Sequence, residues 1–434
     1  MLLQSKNVSF EEWREGWILD KGKFDAVIIN HPYDRERPTG LHFKQLAATI
    51  PITIYIPYGL SMGGGRKNLR LQFAQRTQVG ASAVIARSHW EKRMYAMHCP
   101  AGDAHVHVLG HPRFDVLLKH LNTAASPNEL CDRIGARMVV LWNSHFSFSP
   151  SYSQSLNFST FDLIGPELFE FAKSYQDNFC LLWRPHPGLF PVLAREGILT
   201  YSEIDQLRQE LVHVGIVLDE SPSHLPAFEI SDALFTDVGS FLLEYLATGK
   251  PILALHNPDG EPLNEESSAL VRHYAQASSP EEVLQFIDDL ATGDHELPDP
   301  TTALEEHLPY MDGHAGERVA DLLEKLTAKV AATDHAVGEE TASRWTNKPQ
   351  RHIPKRVSNW GRNKPIGTYQ THTPVLDKLI ENLREIRIKK EFEPGWRKTL
   401  KRVVNTVQLY LGEAVKHQPV LISLARYLRI CIKK

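Results

Sequence analysis

Four cysteines in 434 residues (Cys99, Cys131, Cys180 and Cys431) stand far apart, and no C-x-x-C pair occurs. That excludes a disulfide framework and a thiol-based zinc site, and it suits a reducing cytosol. No run approaches the roughly 18 consecutive apolar residues of a membrane-spanning helix. Residues Met1 to Asp20 hold acidic groups and no long apolar stretch, so they do not read as a secretory signal. Internal repeats and low-complexity tracts are lacking as well. His105 and His107 alternate along one stretch with no thiols or carboxylates at ligand spacing. Neither a metal nor a cofactor is therefore expected.

What is present begins with charge. The net charge of −4 hides an asymmetry. From Arg344 to Lys434 there are 21 basic and 6 acidic residues; the remainder has 27 basic and 46 acidic. An acidic body with a basic tail points to a polyanion as the tail's partner.

Short apolar runs alternate with helical patterns over the first 330 residues. The candidate strands are 24–30, 53–58, 83–86, 105–109, 138–142, 179–183, 215–218, 233–236 and 251–255. Val-, Ile- and Leu-rich strands separated by helices predict parallel sheets covered on both faces. The polar stretch near 120–135 breaks the rhythm. The expected organisation is an α/β protein of two Rossmann-like domains, 1–125 and 126–334. A linker or strap over 335–372 and basic amphipathic helices over 373–434 follow. In open sheets of this kind, ligands bind beyond the carboxyl ends of the strands.

Two strand ends carry unusual chemistry. Phe179–Trp183 runs into Arg184-Pro185-His186-Pro187, an arginine and a histidine on a backbone stiffened by proline. Arginine grips phosphate through two hydrogen bonds, and histidine donates to it or passes a proton. The plainer alternative is a surface loop with a structural arginine. The strand 233–236 runs into Asp237-Val238-Gly239-Ser240 and a helix that stops at Gly249. Free amides, a glycine permitting close approach and a hydroxyl suit a phosphate. An ordinary strand–helix turn capped by Ser240 is the alternative. Gly63-Gly64-Gly65 reads as a mobile loop.

Taken in order, Gly110-His111-Pro112-Arg113-Phe114-Asp115, "WRPHP", "SDALFTDVGSFLLEYLATGKPIL" and "YMDGHAGERV" resemble the motifs of the CDP-glycerol glycerophosphotransferase family. The resemblance spans roughly residues 25–325. It implies a GT-B-like fold of two Rossmann-type domains with the active site between them. It also implies a CDP-activated polyol donor and transfer of polyol phosphate with release of CMP. By position, Arg184 and His186 would contact the donor phosphates. Thr236, Asp237, Gly239 and Ser240 would form the phosphate-binding turn, with Glu244 and Arg318 as further donor-side groups. Tyr58, Gly59, His111 and Arg113 fall on the acceptor side.

One departure is clear. The family's W-HG-T motif supplies a histidine read as the base, and Tyr58 stands at that place. A phenol with an ordinary pKa near 10 is a poor base at neutral pH. His31 with Asp34 as its orienting carboxylate is the expected replacement, and His111 is another candidate. A GT-B glycosyltransferase using a nucleotide sugar, or a non-catalytic nucleotide- or glycan-binding scaffold, are the alternative functions.

In the tail, Trp396, Leu400, Val403, Val407 and Leu411 follow helical spacing with cations mainly on the other face. That pattern predicts peripheral binding to the anionic inner face of the cell membrane, near a lipid-linked or glycan acceptor. Packing onto the acidic body is the alternative; nucleic acid is not expected, because it gains nothing from an apolar face.

Overall fold

The structure, a computed structural model, describes residues 19–20, 22–123, 129–148, 157–293, 295–332 and 373–391. Its chain divides into two compact units, each an α/β body around a parallel sheet. Unit 1 takes the described residues of Met1–Ser61, Leu69–Thr123 and Ala303–His352; unit 2 takes those of Met62–Asn68, Ala124–Thr302 and Ile353–Lys434. The sequence-based domain 126–334 thus differs from the structure at its end. The helix Ala315–Ala332 belongs to unit 1, because its Val319, Leu322, Leu323 and Leu326 pack on that sheet's apolar face.

In unit 1 the strands are β1 (Ala26–Ile29), β2 (Ile52–Tyr55), β3 (Ala83–Ala86) and β4 (Val106–Val108), in the order β1-β2-β3-β4, all parallel. Ile52, Ile54, Ala83 and Ile85 face the helix Ala315–Ala332. Tyr55, Val84 and Ala86 pack instead with Phe43, Leu46, Phe73 and Met94. This is the two-sided burial that Val/Ile/Ala-rich parallel strands require.

In unit 2 the strands are β5 (Met138–Asn143), β6 (Phe179–Trp183), β7 (Ile216–Leu218), β8 (Ala233–Thr236), β9 (Ile252–Leu255) and β10 (Ala275–Ala277). Their order is β10-β9-β8-β5-β6-β7, again parallel throughout. From β5 the chain winds outward through β6 and β7; it then returns to β8 on the other side and winds outward through β9 and β10. The direction reverses between β5 and β8, and a crevice opens at such a reversal, at the strands' carboxyl ends. Stacked Trp142, Trp183 and Phe161 fill the core beneath it. The nine expected strands are present, while β10 (Ala-Gln-Ala) is a short edge strand with too little apolar character to be read.

The helix Pro374–Glu391 corrects the reading of residues 373–391 as part of a membrane-facing tail. Val375, Leu376, Leu379, Ile380 and Leu383 are buried in the core of unit 2. The Glu210 carboxylate accepts the amides of Val375 and Leu376 at the helix start. Arg387 donates to both oxygens of Glu167 at 2.9 and 3.1 Å. Residues 335–372, read as a linker, and 392–434, read as basic helices, lie outside the described residues. Among the described residues no helix is long and apolar enough to cross a membrane.

Candidate functional site

The carboxyl ends of β6, β5 and β8 bring one cluster together in unit 2. Adjacent strands lie about 4.8 Å apart, so the ends of β6 and β8 are separated by roughly 10 Å, with the end of β5 between them. His186 follows β6. Its amide donates to the Ser144 carbonyl at 2.9 Å. Its Nδ1 accepts the Gly188 amide at 3.0 Å, which leaves the proton of the neutral ring on Nε2. The ring rests on Phe146, 4.5 Å between centroids, and keeps an exposed edge. Desolvation holds His186 below the ordinary histidine value. It is therefore a neutral imidazole presenting an Nε2–H donor.

His145, at the end of β5, is a neighbour that no sequence motif singled out as a site residue. Its ring lies 5.3 Å from His186. Nδ1 faces the Ser147 hydroxyl at 2.7 Å and accepts the Ser147 amide, so this ring also carries its proton on Nε2. Burial, then the neighbouring His186, push its pKa down to about 3.

After β8, Gly239 and Ser240 are half-buried, and their amides have no partner among the described residues. A Cβ on Gly239 would meet nothing nearer than 3.9 Å, and its φ is not in the left-handed region. The glycine is thus not demanded by the fold; it leaves the backbone open to an approaching ligand. Ser240 makes no side-chain cap, and the α-helix that follows, Phe241–Glu244, is only four residues long. Any attraction for an anion here comes from the two open amides rather than from a long helix dipole.

Other expected donor groups have structural partners. Arg184 donates to Asp219 at 2.5 Å and to the Ser221 hydroxyl and carbonyl at 3.2 and 2.8 Å, so it ties the ends of β6 and β7 together. Asp219 is the unforeseen partner: its side chain is 1% exposed, and the Arg184 guanidinium together with the Ser221 amide compensates its burial. Asp237 turns inward and accepts four bonds, from Thr160 (N and Oγ1), His145 N and Ser159 Oγ, at 2.7–3.1 Å. Burial still raises its carboxyl to about 6. Thr236 is buried and donates to the Asp237 carbonyl. Glu244 is buried against His224. Gly63 and Gly64 are clamped rather than mobile: a Cβ would meet Phe158 at 2.5 Å and the Leu263 carbonyl at 2.4 Å.

In unit 1 the predicted His31–Asp34 pair does not form. Residues Asp34–Glu36 make a 3₁₀ turn. That turn sends Asp34 Oδ1 to Arg37 and to the Phe43 amide, at 2.6 and 2.8 Å, and leaves Glu36 3.1 Å from His31 Nε2. Tyr58 is exposed and its ring lies 5.1 Å from His31. Gly59 has open space about its Cα. His111 is buried with both nitrogens engaged, Nε2 donating to the Pro57 carbonyl and Nδ1 accepting the Arg113 amide, so it is no base. Arg113 donates to the Tyr58 carbonyl.

The expected donor group Arg318 also sits in unit 1, donating to the Leu109 carbonyl and to Asp312. Asp115 accepts the amides of Ala315 and Gly316. Gly110, at φ +81°, leaves no room for a side chain: a Cβ would meet Tyr310 Cβ at 2.8 Å. The motifs around Gly110 and Arg318 are therefore two halves of one structural lock.

Residues 61–325, more than half of the chain, match the family described as CDP-Glycerol:Poly(glycerophosphate) glycerophosphotransferase. The chain belongs to this family. It is accordingly an enzyme of the glycerophosphotransferase kind, and the four motifs all lie inside the matched span. His31, Asp34 and Tyr58 precede it, which is where the sequence departs from the family's histidine motif. No curated protein matches the sequence. Among solved structures, a wall teichoic acid polymerase TagF variant soaked with CDPG is similar at 14% identity. That likeness covers 71% of this chain and 73% of the other, with a TM-score of 0.48. A putative UDP-N-acetylglucosamine 2-epimerase from Listeria monocytogenes has 16% identity, 76% and 77% coverage and a TM-score of 0.46. The S. aureus MnaA–UDP structure has 17%, 75%, 76% and 0.46.

Proposed function

We propose that this transferase moves glycerol phosphate, or a similar polyol phosphate, from a CDP-activated donor to a hydroxyl group. The acceptor is a lipid-linked or glycan molecule in the synthesis of a bacterial surface polymer such as teichoic acid or capsule. The observation that carries the reading is the pairing of the His186 Nε2–H with the open amides of Gly239 and Ser240 at the β5/β8 reversal, in a chain of this family.

In the step proposed, the acceptor oxygen bonds to the β-phosphorus. The bond from that phosphorus to the bridging oxygen breaks, and CMP leaves with the electron pair. Negative charge grows on the departing phosphate, where fixed donors stabilise it most. His186 supplies one such donor and the turn at Gly239 supplies two. Arg184 and Asp237 act one layer back, holding the strand ends on which those donors stand. His31, paired with Glu36 in place of Asp34, is the proposed base for the acceptor's proton. Work at the inner face of the cell membrane is supported by the basic composition of residues 392–434.

The direct test supplies CDP-glycerol with a lipid-linked glycerol phosphate acceptor and follows CMP. Release of CMP with growth of the acceptor is expected; CDP-ribitol, UDP-sugars and CMP-sugars serve as competitors. Preferential turnover of a UDP-sugar would hand the site to the glycosyltransferase reading, which Tyr58 in place of the family's histidine favours. Donor binding with no turnover on any acceptor would leave a scaffold.

A further inference from the structure

Three histidines that follow parallel strands fold back on their own chain in the same way. Nδ1 of His111, His145 and His186 accepts the amide two residues ahead, from Arg113, Ser147 and Gly188, at 3.1, 3.2 and 3.0 Å. A neutral imidazole held so carries its proton on Nε2, away from that amide. In unit 1 the chain itself supplies the acceptor: Nε2 of His111 donates to the Pro57 carbonyl at 2.7 Å. In unit 2, Nε2 of His145 and Nε2 of His186 have no acceptor among the described residues.

Because β5 lies between β6 and β8, His145 stands between His186 and the turn at Gly239. Its ring is 5.3 Å from that of His186, and Phe146 lies against both, at 4.3 and 4.5 Å between centroids. Its amide donates at 2.7 Å to Asp237, two residues before Gly239, and its carbonyl accepts the Ser159 hydroxyl at 2.6 Å. Backbone and Nδ1 are both fixed, so only the Nε2–H is left to offer. Burial keeps the ring neutral, and it stands beside a second imidazole without repulsion. What the pair lacks, and what Pro57 gives His111, is an acceptor oxygen.

We propose that His145 is a second donor-binding residue: its Nε2–H and that of His186 bond oxygens of the same diphosphate. The inference rests on the reading that the donor's phosphates lie between His186 and the turn at Gly239. Neither ring gives up its proton; both present fixed N–H groups to charge that the reaction increases. The consequence is selective, because it concerns the diphosphate and not the nucleoside.

The test measures binding of CDP-glycerol and of cytidine to the full chain by calorimetry, in wild type, His145→Asn, His145→Gln and His186→Ala. His145→Asn keeps an acceptor for the Ser147 amide and loses the outward N–H; His145→Gln does the reverse. Thermal melts of each variant confirm folding. Expected is a loss of about tenfold or more in CDP-glycerol affinity for His145→Asn, with cytidine changed less than about twofold. His145→Gln should lose distinctly less. CDP-glycerol affinity in His145→Asn matching wild type, equal losses for the two ligands, or His145→Gln no better than His145→Asn would leave His145 a brace of its loop and overturn the proposal. Should His145→Asn fail to fold, histidine-labelled NMR spectra of wild type decide. The Nε2–H resonance of His145 should move with CDP-glycerol and stay with cytidine; one that moves with neither, or equally with both, overturns the proposal. Wild type that binds no CDP-glycerol, or His186→Ala that binds it unchanged, would instead sink the reading on which this rests.

Discussion

The strand ends of the two units carry the same residue types and use them differently. In unit 1 the sheet runs in chain order, with no reversal. Its end residues lock onto one another: His111 to Pro57 and Arg113, Asp115 to the amides of Ala315 and Gly316, Arg318 to Leu109 and Asp312. In unit 2 the order reverses between β5 and β8. There Arg184 and Asp237 are locked in the same way, yet His186, Gly239 and Ser240 keep groups free to bind. The lesson is that a charged residue after a parallel strand is a strut when a neighbouring element can satisfy it. A strand-order reversal withholds that neighbour from a few of them, and those few are left for a ligand.

The largest expected effect breaks the strut at the heart of unit 2. Asp237→Ala leaves four buried donors without their acceptor and should cost about 3–5 kcal/mol in chemical denaturation. An unchanged midpoint would show that Asp237 is no strut. Next comes the proposed donor. His186→Ala should lower the rate of CMP release by about 100-fold or more with little change in melting temperature. His186→Gln, which keeps an N–H near Nε2, should retain distinctly more activity. Equal losses in both would count against a donor role.

Two glycines sharpen the contrast further. Gly110→Ala should destabilise by about 2 kcal/mol, because of its left-handed φ and the Tyr310 contact. Gly239→Ala should change stability by less than about 0.5 kcal/mol yet weaken CDP binding, since only an approaching ligand needs that space. The reverse pattern would exchange the roles of the two turns.

The smallest effect concerns pH. Burial depresses the folded-state pKa of His145 to about 3, below its unfolded value near 6.5. The stability this contributes is present above the unfolded value and is lost as the pH falls below it toward the folded one. His145→Asn retains an acceptor for the Ser147 amide but has nothing to protonate. Comparing urea unfolding at pH 7 and pH 5.5, the variant should lose about 1 kcal/mol less than wild type. An equal loss would place the acid sensitivity elsewhere.

Much of this was legible beforehand. Nine apolar runs announced the parallel strands, because a strand covered on both faces must be apolar along its whole length. The four motifs pointed to the family that the match over residues 61–325 bears out. His186, Gly239 and Ser240 were visible as strand-end residues with suitable chemistry. His145 stands at a strand end too, but in no family motif, so its place beside His186 emerges only from the fold. The helix Pro374–Glu391 was read with the basic tail, because its cations stand out and its apolar stripe fits a membrane and a protein core equally well.

The sequence by itself determined where apolar runs give strands, which residues stand at their ends, and to which family the motifs belong. Those properties are written in local order and composition. The tertiary structure alone decided which charged end residue is a strut: whether Asp34 or Glu36 faces His31, and whether Arg184 finds Asp219. Such choices depend on how strands far apart in the chain are ordered side by side. A buried charge is settled by whichever partner that ordering brings within hydrogen-bond reach.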